Sequence, residues 1–146
     1  MNAQRTRYGY TVRIDSGEEI VSALTTFAET HGVRAGAISG LGAVGDCTLG
    51  FFVRSTRTYV RRTFAGEHEI GVLTGNFSEL DGKPFPHCHA VIAGDDFVAY
   101  TGHLFHGIVT VTCEVQVITD PGVLRRARRD DLGFNPLALE GETGGA

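Results

Sequence analysis

The sequence predicts an α+β fold: one compact domain with a largely antiparallel β-sheet and one main amphipathic helix. Two observations carry this reading. Twenty glycines in 146 residues call for many tight turns. A single segment keeps helical periodicity between start and stop signals, and most of the remainder falls into strand-length runs separated by Gly, Asp or Pro turns.

The helix is expected over Gly17 to His31. Ser16 and Glu19 stand in capping-box spacing, Ile20, Leu24, Phe27 and Ala28 form an apolar stripe, and Gly32 ends the pattern. Strands are expected at 33–39, 46–53, 57–65, 69–79, 87–93, 97–104 and 108–119. In the last of these, Val109, Val111, Cys113, Val115 and Val117 share one face, and Thr110, Thr112, Glu114 and Gln116 share the other. Residues 1–7 read as an N-terminal extension, 8–120 as the domain and 121–146 as a C-terminal extension. Within that extension the basic run at 125–129 is followed at once by Asp130 and Asp131, so it reads as a solvated helical turn. The final G-E-T-G-G-A reads as a disordered end.

Composition narrows the function. The formal charge is −4, which repels a phosphate backbone. The first residues lack an apolar signal region and no segment has the roughly 20 apolar residues of a membrane helix, so a cytoplasmic protein with no membrane partner is expected. Cys47, Cys88 and Cys113 are odd in number and far apart, which predicts free, buried thiols.

Gly40, Gly42 and Gly45 satisfy G-x-G-x-x-G after an expected strand. A strand follows, however, so no helix N-terminus receives a pyrophosphate, and Arg61 and Arg62 stand at the expected ribose-binding position in place of an acid. Nucleotide binding is rejected, and these glycines are assigned to a turn between two strands.

Four of the six histidines lie within residues 84–107. His87 and His89 are one residue apart, so in a strand they share a face with Cα atoms roughly 6.5–7 Å apart. If Gly94 to Asp96 form the loop to the next strand, Ala93 opposes Phe97 and His87 faces His103. His87, His89 and His103 then converge, and Cys88 turns into the opposite layer. Three neutral imidazoles with an open position suit zinc, and iron, nickel or copper also bind such a set. The competing reading is a hydrogen-bonded polar cleft. His106 reads as a loop or rim residue, His31 as a helix C-terminal residue and His68 as part of a charged turn.

Three stretches, A-I-S-G-L-G-A-V, the run from Glu69 through Ala93, and T-G-H-L-F-H-G, resemble the PPC domain conserved in plants and prokaryotes. The specific pieces are E-I-x-x-L-x-G-N at 69–76, D-G-x-P followed by His-x-His, and Gly102-His103-Leu104. The resemblance implies a compact α+β domain that assembles as a homotrimer. It also implies a metal at the positions of His87, His89 and His103, as in some members. The family is distantly similar to acetolactate decarboxylase, which holds zinc with an H-x-H pair and a later histidine. In plants the domain accompanies AT-hooks in DNA-associated proteins, and bacterial members carry a DNA-binding label from that link. This chain has no R-G-R-P hook, and Cys88 and Thr101 depart from the usual family residues.

Two functions compete. One is a metal-dependent enzyme, a lyase or hydrolase of the acetolactate decarboxylase type, in which Zn2+ or another divalent transition metal polarises a carbonyl or activates water. Glu69, Glu79, Glu114, Arg54 and Arg61 are its candidate partners, with Glu114 as the weak first choice for a catalytic acid or base. The other is a trimeric module that binds a metal or small molecule without chemistry. DNA association stands third.

Overall fold

The computed structural model describes residues 1–139. Its order is β1 (Asn2–Thr6), β2 (Gly9–Asp15), α1 (Ile20–His31), β3 (Gly36–Val53), β4 (Thr58–Phe64), β5 (His68–Leu80), β6 (Lys83–Ala93), β7 (Ala99–Thr119), β8 (Arg125–Arg126) and β9 (Leu137–Ala138). The fold is mostly antiparallel sheet and the helix is a minor part of it. Among the described residues the only parallel pairing between strands joins β5 to the two-residue β8.

The helix starts later than its capping box suggests. Glu19, not Ser16, is the N-cap, and its carboxylate accepts hydrogen bonds from the backbone N–H of Val21 and of Ser22. Residues 16–18 instead tie the chain to β7: the Gly17 N–H donates to the Val109 carbonyl, and the Val109 N–H donates to that of Glu18. Gly32 ends the helix as expected. Ile20, Leu24, Phe27 and Ala28 are all buried, and α1 packs against β6 and β7.

Two pairs of expected strands are each one long strand. Residues 36–53 run unbroken through the glycine motif, so the turn expected at Gly40 to Gly45 does not exist. Those glycines lie where β3 is irregular, with register shifts at Gly40/Gly42 against β5 and at Gly42/Val44 against β7. A Cβ on Gly42 would collide with the Thr112 carbonyl oxygen and the Cys113 backbone, so glycine here allows close backbone approach in a strand. Residues 99–119 likewise form the single strand β7, which places His106 in a strand and not in a loop. Its shifts against β3 explain why Val111 is exposed while Val109, Cys113, Val115 and Val117 are buried.

The long strands close on themselves. β3 pairs with β5, β5 with β6, β6 with β7, and β7 returns to β3. β1 and β2 extend the sheet beyond β7, so residues 2–6 are a paired strand. Phe27, Phe77, Ile14, Leu73 and Ile92 are among the largest fully buried side chains. All three cysteines are free and buried, and burial raises their thiols to about 11 for Cys47 and Cys113 and about 12 for Cys88. Thiols held that high stay protonated and unreactive. Among the described residues no helix is long and apolar enough to cross a membrane.

Candidate metal centre

β6 alternates strictly: Cys88, Ala90 and Ile92 face the core, and His87 and His89 project from the other face. The connection to β7 is longer than three residues, because Ala93 opposes Ala99 and His89, not His87, faces His103. Convergence survives this change. Opposed residues still sum to an even number, so odd-numbered side chains of both strands share a face.

His87, His89 and His103 each offer a ring nitrogen within 4.8 Å of the others. Ring centroids are 4.9 Å apart for His87–His103 and 5.4 Å for each ring to His89. His87 and His103 are half-buried and His89 is exposed, so one side of the cluster opens to solvent. Burial, first of all, pushes both half-buried imidazoles down from 6.5 to about 4, and the other histidines add to the effect. Arg126 acts next on His87, and Arg61 and Arg126 contribute at His103. Both rings are therefore uncharged near neutral pH, the state in which imidazole binds metal.

Aromatic rings enclose the cluster. Phe105 lies 4.5 Å and Tyr59 5.3 Å from the His103 ring, and Phe52 contacts both Tyr59 and Phe134. A Cβ on Gly50 would strike the Phe105 ring, so glycine on β3 lets that ring lie flat across the strand. With Leu80, Phe85 and Asn135 these groups bound a cavity of about 390 Å³ that holds the three histidines and Arg126.

Arg126 is the residue sequence reasoning missed. The basic run is not a helical turn: Arg125 and Arg126 form β8, paired with β5 and β9. The Arg126 guanidinium donates from Nε to Ser78 Oγ at 2.8 Å, from Nη1 to the Asn135 carbonyl at 3.0 Å, and from Nη2 to Asn76 Oδ1 at 2.9 Å. Nη2 also meets His87 Nδ1 at 3.0 Å. Arginine only donates, so His87 Nδ1 accepts and its ring hydrogen sits on Nε2, which donates to His103 Nδ1 at 3.1 Å. Nothing local in the sequence separates Arg126 from its basic neighbours. Arg128, for example, pairs with Asp130 at the surface.

The other candidates are placed elsewhere or in supporting positions. Arg61 stacks over Phe105 at 3.8 Å, beside the cluster. Glu79 pairs with Arg34 and with Arg125, and Glu69 sits at the far end of β5 opposite Ala93. Glu114 is exposed on β7, opposite Arg13 on one side and Leu41 on the other. It lies eleven residues along the strand from His103, roughly 35 Å at the usual rise, so this chain does not bring it to its own histidines. Among the described residues no carboxylate bounds the cavity. His106 points away from the cluster, and its Nδ1 lies 3.8 Å from Glu19.

The profile of the Plants and Prokaryotes Conserved (PCC) domain matches residues 1–120. The chain belongs to this family. The match takes in β1 and ends just past β7, so the PCC domain supplies the three histidines, and Arg126 comes from beyond it. A "putative DNA-binding protein" from Bacteroides thetaiotaomicron is 34% identical, with 95% of this chain and 97% of that one covered and a TM-score of 0.91. A metal-containing protein from Archaeoglobus fulgidus is 32% identical over 95% of this chain and 100% of its own, with a TM-score of 0.84. A plant- and prokaryote-conserved protein from Pyrococcus horikoshii is 25% identical over 94% of each chain, with a TM-score of 0.83. No curated protein matches this PCC chain.

The donor set suits a divalent transition metal. Three imidazoles with no carboxylate among them favour zinc and its neighbours over calcium or magnesium, and the exposed side of His89 leaves room for a further ligand. Ligation through His87 Nε2 requires the ring hydrogen to move to Nδ1, where it meets the Nη2 N–H of Arg126. An ion at that nitrogen and the present Arg126–His87 contact therefore exclude one another.

Proposed function

We propose that this PCC-domain protein binds a divalent transition metal, zinc foremost, through His87, His89 and His103, and presents it to a small molecule in the adjoining cavity. One observation carries the reading: three imidazole nitrogens within 4.8 Å of one another beside an aromatic cavity. The metal-containing relative from A. fulgidus supports it. When bound, such an ion supplies Lewis-acid polarisation of a ligand oxygen. Arg126 and Arg61 add positive charge, the aromatic rings exclude water, and His89 faces the opening. With no carboxylate at the cavity among the described residues, a reaction of the lyase or hydrolase kind would take its proton transfers from a histidine, from Tyr59, from water or from a neighbouring subunit. Glu114 is available only for the last of these.

Assembly as a homotrimer belongs to the same proposal. Leu41, Phe51, Val60 and Val111 are large apolar side chains left exposed, which is what contact between copies would cover. Action in the cytoplasm is proposed on the same footing. Elemental analysis of untagged protein tests the metal. About one ion per chain in wild type and none in the His87→Ala/His89→Ala variant supports the proposal, and no ion in either after reconstitution overturns it.

The name of the relative from B. thetaiotaomicron favours a second reading, DNA association. A formal charge of −4 argues against it for the isolated chain. Retention on duplex DNA that weakens steeply with salt would establish it.

A further inference from the structure

We propose that the cavity beside the histidines is selective for a small carboxylate with an apolar or aromatic body, and that Arg126 is the residue that grips the carboxylate. Among the described residues every partner of the Arg126 guanidinium is neutral: a serine hydroxyl, an asparagine side chain, a backbone carbonyl, an imidazole and the Phe85 ring. The nearby Glu79 is taken by Arg34 and Arg125. Arg61 stacks on Phe105, one of the rings that bound the cavity, and no carboxylate ion pair to it is found among the described residues. A chain with a formal charge of −4 thus places an arginine, and no acid among the described residues, in the wall of this pocket, with a second arginine against one of its rings. A half-buried cation held by neutral dipoles remains charged and is completed by an anion. The walls decide the rest of the ligand: Phe52, Tyr59, Phe85, Phe105 and Phe134 offer ring faces and edges, which suit a flat apolar body.

The geometry links this grip to the metal. With His87 Nε2 given to an ion, the Nη2 N–H of Arg126 loses its acceptor at Nδ1 and is released toward the cavity. Arg126 should therefore oppose metal binding in the empty site and favour the anion once metal is present. That coupling rests on the metal reading above; the preference for a carboxylate does not.

The test uses the full-length protein, chelator-treated and zinc-loaded, titrated calorimetrically with benzoate and with benzamide, its uncharged isostere. Zinc affinity is measured separately by competition with a chromophoric chelator. Wild type is expected to bind benzoate at least about tenfold more tightly than benzamide, and more tightly still with zinc. Arg126→Gln is expected to lose about tenfold in benzoate affinity while holding zinc as well as wild type or better, and Arg126→Lys to keep part of the preference. Equal affinity for benzoate and benzamide overturns the proposal. So does an Arg126→Gln protein that binds benzoate like wild type or loses zinc and benzoate together, which would make Arg126 structural. Absent zinc binding with the benzoate preference intact would remove the metal and leave the carboxylate site.

Discussion

The imidazoles of His87 and His103 are held neutral by burial, and this has a consequence for the metal-free protein. Unfolded, each takes up a proton near 6.5; folded, only near 4. Between those values the unfolded chain binds more protons, so stability falls as pH is lowered from about 6.5 toward 4. Urea midpoints measured in chelator should fall across that window. They should fall less in a His87→Gln/His103→Gln variant, and an unchanged slope would show that other groups set it. His89 is the exposed member of the three. His89→Ala should lose most bound metal while changing metal-free stability by no more than about 0.5 kcal/mol, the usual range for a surface change. Metal analysis beside a denaturation curve checks both halves of that expectation.

At the scale of elements, α1 is secured at its start by one carboxylate and along its length by one face. Glu19 accepts from Val21, Ser22 and also the Gly107 backbone N–H at 3.2 Å, so it joins the helix to β7 as well as capping it. Glu19→Ala should destabilise by about 1 kcal/mol, the typical loss of an N-cap, and by more if the β7 bond counts fully. Phe27 is fully buried, with its ring 6.0 Å from Phe77 and 5.2 Å from Tyr10. Phe27→Ala should therefore cost about 3–5 kcal/mol in chemical denaturation. The helix stripe was legible because period 3.6 and burial agree. The strand count was not, because a glycine inside a strand and a glycine in a turn look alike until the neighbouring backbone is known. Gly42 is that case: Thr112 and Cys113, seventy residues later in the chain, decide it.

For the whole molecule, the proposed trimer should appear as three times the chain mass in light scattering after gel filtration, and a monomer at micromolar concentration would contradict it. Saturating zinc, at about 100 times its dissociation constant, should raise stability by about 2.7 kcal/mol if the folded state alone binds it. The isolated chain should not be retained on duplex DNA even at low salt, where phosphate contacts are strongest.

The sequence by itself determined the mostly antiparallel fold, the single helix, the buried thiols and the pairing of three odd-numbered histidines on one face. Each of these follows from a local period or from parity, which survived an error in loop length. Only the tertiary structure decided that Glu114 lies far from the histidines of its own chain, that β3 and β7 are continuous, and that Arg126 enters the cavity. Arg126 reaches His87 through a two-residue strand added to β5, thirty-nine residues beyond its partner. A contact of that range leaves no trace in local composition, where Arg126 is one of four arginines in a run followed by two aspartates.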